Sequence, residues 1–137
     1  METRYQGSAV PVTVHSLARA KVSDGEAVTV TVPPNTTLQA GEWALLDGFL
    51  GVTVQAVKTG AAESKEIALT IQQAEYETDQ ISTSQTFAKG VAIYWNDTSK
   101  KFTETATGNR PAGRVTYGKD ANNVIWFVLG PQVEPQA

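Results

Sequence analysis

The chain has 137 residues, of which 41% are hydrophobic and 18% are charged, and its formal net charge is −3. A chain of this length is expected to form one domain. The absence of cysteine excludes disulfides and thiolate chemistry, and the single histidine excludes a multi-histidine metal site within one chain. The mild negative charge argues against a nucleic-acid partner, and no apolar run approaches the ~20 residues that span a bilayer, which argues against a membrane partner.

The N-terminus is predicted to form an extended arm followed by a first strand. Residues 1–8 are polar and lack the apolar stretch of a secretory signal. The alternation within Ala9–Val14 favours a strand, so we assign the arm to residues 1–8 and a single β-domain to residues 9–130. We interpret His15, which follows this strand, as a surface or interface residue.

Period-two alternation dominates the rest of the chain. In Ala27–Val32 the valines fall on one side and the threonines on the other, which is typical of a strand with one buried and one exposed face. Glu66–Ile71 repeats the pattern, and β-branched residues, which favour strands, are common throughout. The same reasoning predicts further strands at Trp43–Leu46, Gly51–Val57, Val91–Trp95, Lys101–Thr105, Gly113–Tyr117 and Val124–Leu129.

Turn signals separate these strands. Asp47-Gly48 joins two apolar runs, as this dipeptide does in tight hairpins, and polar clusters at 96–99 and 120–123 mark two more hairpin loops. Short strands with turns at this spacing indicate an all-β fold, a small β-barrel or sandwich with short strands and tight turns. Residues 131–137 contain prolines and no apolar pattern, so they are predicted to form a C-terminal tail that leaves the core.

One polar stretch lacks a clear strand pattern. Gln72–Gln80 has a short helical pattern, which we interpret as a loop or one to two helical turns. Glu75–Lys89 is rich in Thr, Ser, Gln and acidic residues, with Ile81 and Phe87 as its strong apolar residues. So long a connection in a compact domain is either functional or packs on another chain.

The last predicted strand, Val124–Leu129, is apolar on both sides. A strand that is buried on both faces suits either a central position in the domain or a subunit interface. The sequence leaves these two interpretations open.

Carboxylates provide the candidates for catalysis. Glu63 with Glu66 is one possible acid and base pair for glycoside hydrolysis, and the alternating Glu75, Glu77 and Asp79 provide another. Their polar surroundings favour a solvated face, so a small glycosidase is a remote interpretation. No phosphate-binding loop motif is present. We therefore predict that the protein is not an enzyme and takes no cofactor and no metal.

Aromatic residues allow a second kind of site, a sugar-stacking platform. Aromatic side chains in β-domains more often fill the core, so this is the weaker interpretation. The residues concerned are Trp43, Trp95, Trp126 and Tyr94.

Three blocks of the sequence carry a family resemblance. Gly41-Glu42 with Gly51-Val52 forms the first block, Gly90–Asn96 with its Tyr-Trp pair the second, and Gly108-Asn109 with Gly113 the third. In this order and spacing, residues 38–130 resemble a family of small tailed-phage proteins (DUF2190) that are capsid decoration, or cement, proteins.

The resemblance implies a structural protein without catalytic residues. Such proteins bind the outer surface of an expanded phage head, commonly as trimers at threefold and quasi-threefold positions, and stabilise the capsid. The implied partners are the major capsid protein and two further copies of the chain. The implied location is the outer surface of the virion capsid, after synthesis in the host cytoplasm.

The resemblance also suggests where the contacts lie. The arm could add a strand to an edge of the capsid protein, and the last strand could form part of a trimer interface. The alternative function is a carbohydrate- or receptor-binding module displayed on the virion. The candidate capsid contacts are Thr3, Arg4, Tyr5 and Gln6, and the candidate trimer-interface residues are Ile125, Trp126 and Phe127.

Overall fold

A computed structural model provides the structure of the protein, and it describes residues 20–133. The predicted arm, the predicted strand Ala9–Val14, His15 and residues 134–137 lie outside the described residues. Residues 20–133 contain strands, turns and bends but no helix, which confirms the predicted all-β fold of short strands and tight turns. No helix in this part of the chain is long and apolar enough to cross a membrane.

The described residues form three sheets. The strands are β1 (Ala27–Val32), β2 (Thr37–Leu38), β3 (Trp43–Leu46), β4 (Phe49–Thr53), β5 (Val57–Lys58), β6 (Lys65–Thr70), β7 (Glu75–Thr78), β8 (Ala92–Asn96), β9 (Lys101–Thr103), β10 (Arg110–Tyr117) and β11 (Ile125–Leu129). One sheet has the order β1-β6-β4-β3, a second has the order β7-β11-β10-β8-β9, and β2 pairs with β5 alone. Neighbouring strands run antiparallel in all three sheets.

The β3–β4 hairpin turns at Asp47-Gly48, as predicted. Both residues have positive φ, 52° and 85°, the conformation that a two-residue type I′ turn requires. The Asp47 carboxylate also accepts a 2.8 Å hydrogen bond from the main-chain N–H of Thr31. The turn therefore covers part of the free edge of β1.

Two hydrophobic cores lie on opposite faces of the β3–β4 hairpin. Trp43 of β3 faces a core that it shares with the five-stranded sheet, whereas Ala44 and Leu46 face the second core. In the first core the ring centroid of Trp43 lies 5.4 Å from that of Phe102 and 5.1 Å from that of Phe127. The second core is aliphatic and its buried residues are Val30, Val32, Leu38, Ala44, Leu46, Val57, Ile67 and Leu69.

The structure corrects the prediction for Gln72–Gln80. This stretch contains a strand, β7, instead of a loop or helical turns. Tyr76 and Thr78 turn toward the core, whereas Glu75 and Glu77 are exposed, and β11 supplies the pairing partner. A four-residue strand is too short for its alternation to stand out against the polar residues around it.

The prediction of Gly51–Val57 as one strand is also wrong. Gly51–Val57 is split between β4, which begins at Phe49 and ends at Thr53, and the short β5. The break falls at Val54, which is 62% exposed. Because the bend contains an apolar residue, the sequence pattern resembled that of one continuous strand.

Glutamine side chains take the place of missing strand neighbours. The Gln80 amide accepts from the main-chain N–H of Trp43 and donates to the carbonyl of the same residue, both at 2.9 Å. The Gln132 amide makes the same pair of bonds to Leu50, at 3.0 and 2.9 Å. The predicted tail therefore remains attached to the domain at Gln132.

The remainder of the long polar segment also packs on its own domain. Ile81 and Phe87 are fully buried in the first core, as their apolar character suggested. The Lys119 ammonium donates to the carbonyls of Thr83 and Gln85, at 2.8 and 2.6 Å. These bonds fix the segment against the end of β10.

Candidate interaction surface

The outer face of the five-stranded sheet exposes apolar side chains. In β11 the side chains of Ile125, Phe127 and Leu129 are buried, whereas Trp126 is 44% and Val128 is 41% exposed. The two apolar faces of this strand thus meet different surroundings: one fills the core of the domain, and the other remains uncovered by residues 20–133.

A second aromatic ring extends this apolar face. Tyr117 is 56% exposed, and its ring centroid lies 5.1 Å from that of Trp126, with the ring planes 39° apart. The pairing of β10 with β11 shifts between Val115 and Tyr117, which sets Tyr117 opposite Trp126. A bulge of this kind turns a side chain that simple alternation would place on the inner face. Sequence reasoning missed Tyr117 because alternation groups it with the buried Val115.

The predicted trimer-interface residues divide between core and surface. Ile125 and Phe127 are fully buried within their own chain, and Phe127 contacts the aromatic cluster around Trp43. Trp126 is the one of the three that a second chain can touch directly. The trimer interface stays a prediction, and so do the capsid contacts Thr3, Arg4, Tyr5 and Gln6, which lie outside the described residues.

Strand β7 forms one edge of the same sheet. Glu77 lies opposite Trp126 and Glu75 opposite Val128 in the register with β11, and both carboxylates are exposed. Glu75 accepts a 2.6 Å hydrogen bond from the Thr116 hydroxyl. Glu75, Glu77 and Trp126 border a shallow depression of about 270 Å³. The edge of the apolar face is therefore acidic.

Tyr76 lies between the two carboxylates but points toward the opposite face of the sheet. Its ring meets Trp43 edge to face, with centroids 5.0 Å apart, and its hydroxyl donates to the Gln72 carbonyl at 2.7 Å. Partial burial raises the pKa of the Tyr76 hydroxyl above 10.0. Tyr76 is thus a partly covered residue at the rim of the first core.

A groove of about 470 Å³ lies on the other side of Val128. Its lining is mostly apolar and includes Tyr94, Pro111 and Val133, with Arg114 as its charged residue. The Arg114 guanidinium donates to the Gly90 carbonyl at 2.7 Å, which holds the side chain across the sheet. The outer face thus runs from an acidic edge through an apolar centre to an arginine.

The candidates for a sugar platform are separated by the fold. Trp43 and Trp95 are buried in the first core, so they cannot stack on a sugar together with Trp126. The aromatic pair that faces solvent is Tyr117 with Trp126.

The candidate acid and base residues lie at the surface. The alternating carboxylates Glu75, Glu77 and Asp79 form an exposed row, as the solvated-face interpretation predicted. Glu63 and Glu66 are exposed as well, and Glu63 accepts a 2.9 Å hydrogen bond from the main-chain N–H of Gly60. Among residues 20–133, no group of three or more His, Cys, Asp or Glu is placed to hold a metal ion.

The chain belongs to the phage cement protein family, whose model matches residues 22–130. This confirms the resemblance seen in the sequence: the protein has a structural role, binds a phage capsid, and is located on the outer surface of the virion. Comparison with curated proteins gave no match. Among solved structures the chain is similar to the head fiber gp8.5 N base of bacteriophage phi29, at 11% identity and a TM-score of 0.44, covering 81% of this chain and 99% of that one.

Proposed function

We propose that the protein binds the major capsid protein as a homotrimer at threefold and quasi-threefold positions of the phage head. There it bridges neighbouring capsomers and stabilises the shell. The observation that carries this proposal is the family match over residues 22–130, a range that includes β1 through β11. Adhesion requires a rigid scaffold and a contact surface, and it requires no catalytic group or cofactor.

The apolar outer face supports the homotrimer. Tyr117, Trp126 and Val128 are each more than 40% exposed and lie side by side on β10 and β11. Aromatic residues that are exposed on one face and supported by a packed core on the other are typical anchors of protein interfaces. Three linked copies also raise the effective concentration of each capsid contact, so a modest single-copy affinity becomes stable attachment.

The N-terminal arm is our candidate for the direct capsid contact. Residues 1–8, with Thr3, Arg4, Tyr5 and Gln6, would add a strand to an exposed edge of the capsid protein, where main-chain hydrogen bonds supply affinity. A variant that lacks residues 1–8 should then remain folded by circular dichroism but bind heads weakly or not at all. Unchanged binding of this variant would remove the arm from the proposal.

Co-sedimentation tests the proposed function as a whole. Purified protein is mixed with expanded heads that lack it, and the heads are pelleted. We expect the protein in the pellet at three copies per occupied position and heads that resist heating better than untreated heads. Protein that stays in the supernatant at micromolar concentration would contradict the proposal.

A carbohydrate- or receptor-binding module is the second candidate function. The exposed pair Tyr117–Trp126 favours it, because an exposed aromatic ring can stack on a sugar ring. A glycan array separates the two functions. Binding to one glycan class that is lost in Trp126→Ala would support the module, whereas an empty array together with head binding would leave the cement function.

A further inference from the structure

Within the part of the chain that the structure describes, the outer edge of β7 has no paired strand. The main-chain N–H of Leu129 donates a hydrogen bond to the carbonyl of Ala74, and this bond shows which residue pairs of β7 and β11 are hydrogen-bonded. Residues Tyr76 and Thr78 therefore direct their main-chain groups toward β11, and Glu75 and Glu77 direct theirs away from it. Within residues 20–133 no other strand lies beside β7. Two N–H and two C=O groups thus face outward in the geometry of a strand ready to pair.

The charges on β7 determine which kind of strand can pair with its outer edge. Glu75 and Glu77 project from the same face, with one residue between them, and the exposed Asp79 follows at the same spacing. A second copy that paired through its own β7 would set carboxylates opposite carboxylates, which is destabilising across strands. A strand with lysine or arginine at alternate positions would instead set opposite charges across the pair.

The other face of the edge favours an apolar residue between the basic ones. Tyr76 lies on that face at the rim of the first core and is only partly covered. An added strand would place the side chain between its two basic residues over the Tyr76 ring. At about 3.4 Å per residue, the four residues of β7 match a segment of four to five residues.

We propose that β7 accepts an extended segment of the capsid protein, with basic residues at alternate positions, as a sixth strand of the five-stranded sheet. This inference rests on the proposed cement function and adds to it a second attachment point, distinct from the arm. In the proposed arrangement the arm would add a strand to the capsid protein, whereas β7 would receive a strand from it. The apolar face around Trp126 stays available for the trimer, because an added strand extends the sheet sideways and does not cover it.

A pair of charge-reversal variants tests the proposal. Glu77→Lys alters the β7 edge, and Glu66→Lys makes the same charge change at an exposed position of β6. We expect Glu77→Lys to weaken head binding about tenfold per copy, because an attractive cross-strand pair becomes a repulsive one. The double variant Glu75→Lys with Glu77→Lys should weaken binding further, and Glu66→Lys should bind as wild type does. Circular dichroism and native mass measurement confirm that fold and oligomer are retained.

The outcomes separate the two proposals. If wild-type protein binds heads and Glu77→Lys binds equally well, the β7 proposal is wrong, the acidic row only prevents edge-to-edge association, and the cement function stands. If wild-type protein does not bind heads, the cement function itself fails.

Cross-linking identifies the occupant directly. The chain has no cysteine, so Gln73→Cys, at an exposed position just before β7, gives a single site for a photoreactive label and keeps both β7 carboxylates, and the exposed Gln55→Cys is the matched control. On heads we expect the label at position 73 to capture a capsid-protein segment with alternating basic residues. Capture of a second copy of this chain, or capture equal to that of the control, would overturn the proposal.

Discussion

Gly51 lies where the β3–β4 hairpin passes β6. A Cβ at this position would overlap the main-chain oxygen of Thr70 and lie 2.8 Å from the Leu69 side chain. Glycine is required here by close approach, and both neighbours belong to a strand that cannot move freely. The first sequence block of the family resemblance contains this glycine in its Gly51-Val52 pair, and the structure supplies a physical reason for the glycine.

Gly51→Ala should therefore destabilise the domain by about 1–3 kcal/mol, the usual cost of overpacking. Gly60→Ala is the control, because a Cβ there would meet its nearest neighbour at 3.7 Å and the residue needs no positive φ. Urea unfolding followed by far-UV circular dichroism measures both variants. Equal midpoints for the two would show that β6 adjusts to the added methyl group.

Tyr76 links pH to stability. Burial raises its pKa above 10.0 in the folded protein, so the unfolded chain loses this proton at a lower pH than the folded chain does. The contribution of Tyr76 to the free energy of unfolding is fully present below its unfolded pKa and is lost as the pH rises through the folded value. Tyr76→Phe should therefore lose less stability than wild type as the pH rises above about 10, the unfolded pKa of tyrosine.

The comparison uses urea midpoints measured across that pH range. Tyr117→Phe removes an exposed tyrosine and serves as the control. Parallel curves for wild type and Tyr76→Phe would contradict the assignment of the effect to burial of Tyr76.

At the scale of the elements, the Gln132 side chain hydrogen-bonds to β4 in the way that a neighbouring strand would. Its amide bonds to both main-chain groups of Leu50 in β4, and the Arg110 guanidinium bonds to the Gln132 carbonyl at 2.9 Å. Because Leu50 is almost fully buried, removal of the amide leaves a donor and an acceptor with restricted access to water.

Gln132→Ala should lower the free energy of unfolding by about 1–3 kcal/mol, which is the cost of leaving a buried polar group unsatisfied. Gln73→Ala, at an exposed position, is the control and should change stability little. Thermal unfolding of both variants gives the comparison. A small effect of Gln132→Ala would mean that water replaces the amide.

The alternating strands were predictable because burial follows period two directly. Val30 and Val32 are buried and Thr29 and Thr31 exposed in β1, as their order in the chain required. The strand β7 was not predictable in the same way, because its pairing with β11 comes from residues about 50 positions away. The side-chain partners of the sheets, such as Gln132, leave no local signal at all.

The surface around Trp126 was only half predictable. The apolar composition of β11 indicated that both of its faces are suited to burial. Alternation alone could not show which face packs in the core of the domain and which remains exposed. The core takes Ile125 and Phe127 because β11 is the second strand of its sheet, with its inner face over the aromatic cluster. The shift in pairing that adds Tyr117 depends on the bulge, and a bulge has no reliable sequence pattern.

At the scale of the whole molecule, the proposed trimer would form through this outer face. The chain keeps its large aromatic residues Trp43, Trp95, Phe87, Phe102 and Phe127 inside the first core. Trp126 and Tyr117 instead lie outside, with their ring centroids 5.1 Å apart, on the same face as Val128. A contiguous apolar face of this kind on the surface of a folded unit is typical of an interaction site.

Trp126→Ala should therefore weaken the trimer while the domain remains folded, because the side chain is 44% exposed and lies outside both cores. Val54→Ala truncates another apolar residue, which is 62% exposed and lies in the bend between β4 and β5, outside the five-stranded sheet, and should leave the proposed trimer intact. Native mass spectrometry gives the oligomer in solution, and the copy number on heads gives the bound form, since assembly on the capsid could hide a weak trimer. A loss of the trimer with an unchanged melting temperature of the domain would separate assembly from folding. A Trp126→Ala protein that remains trimeric both in solution and on heads would place the trimer contact elsewhere on the molecule.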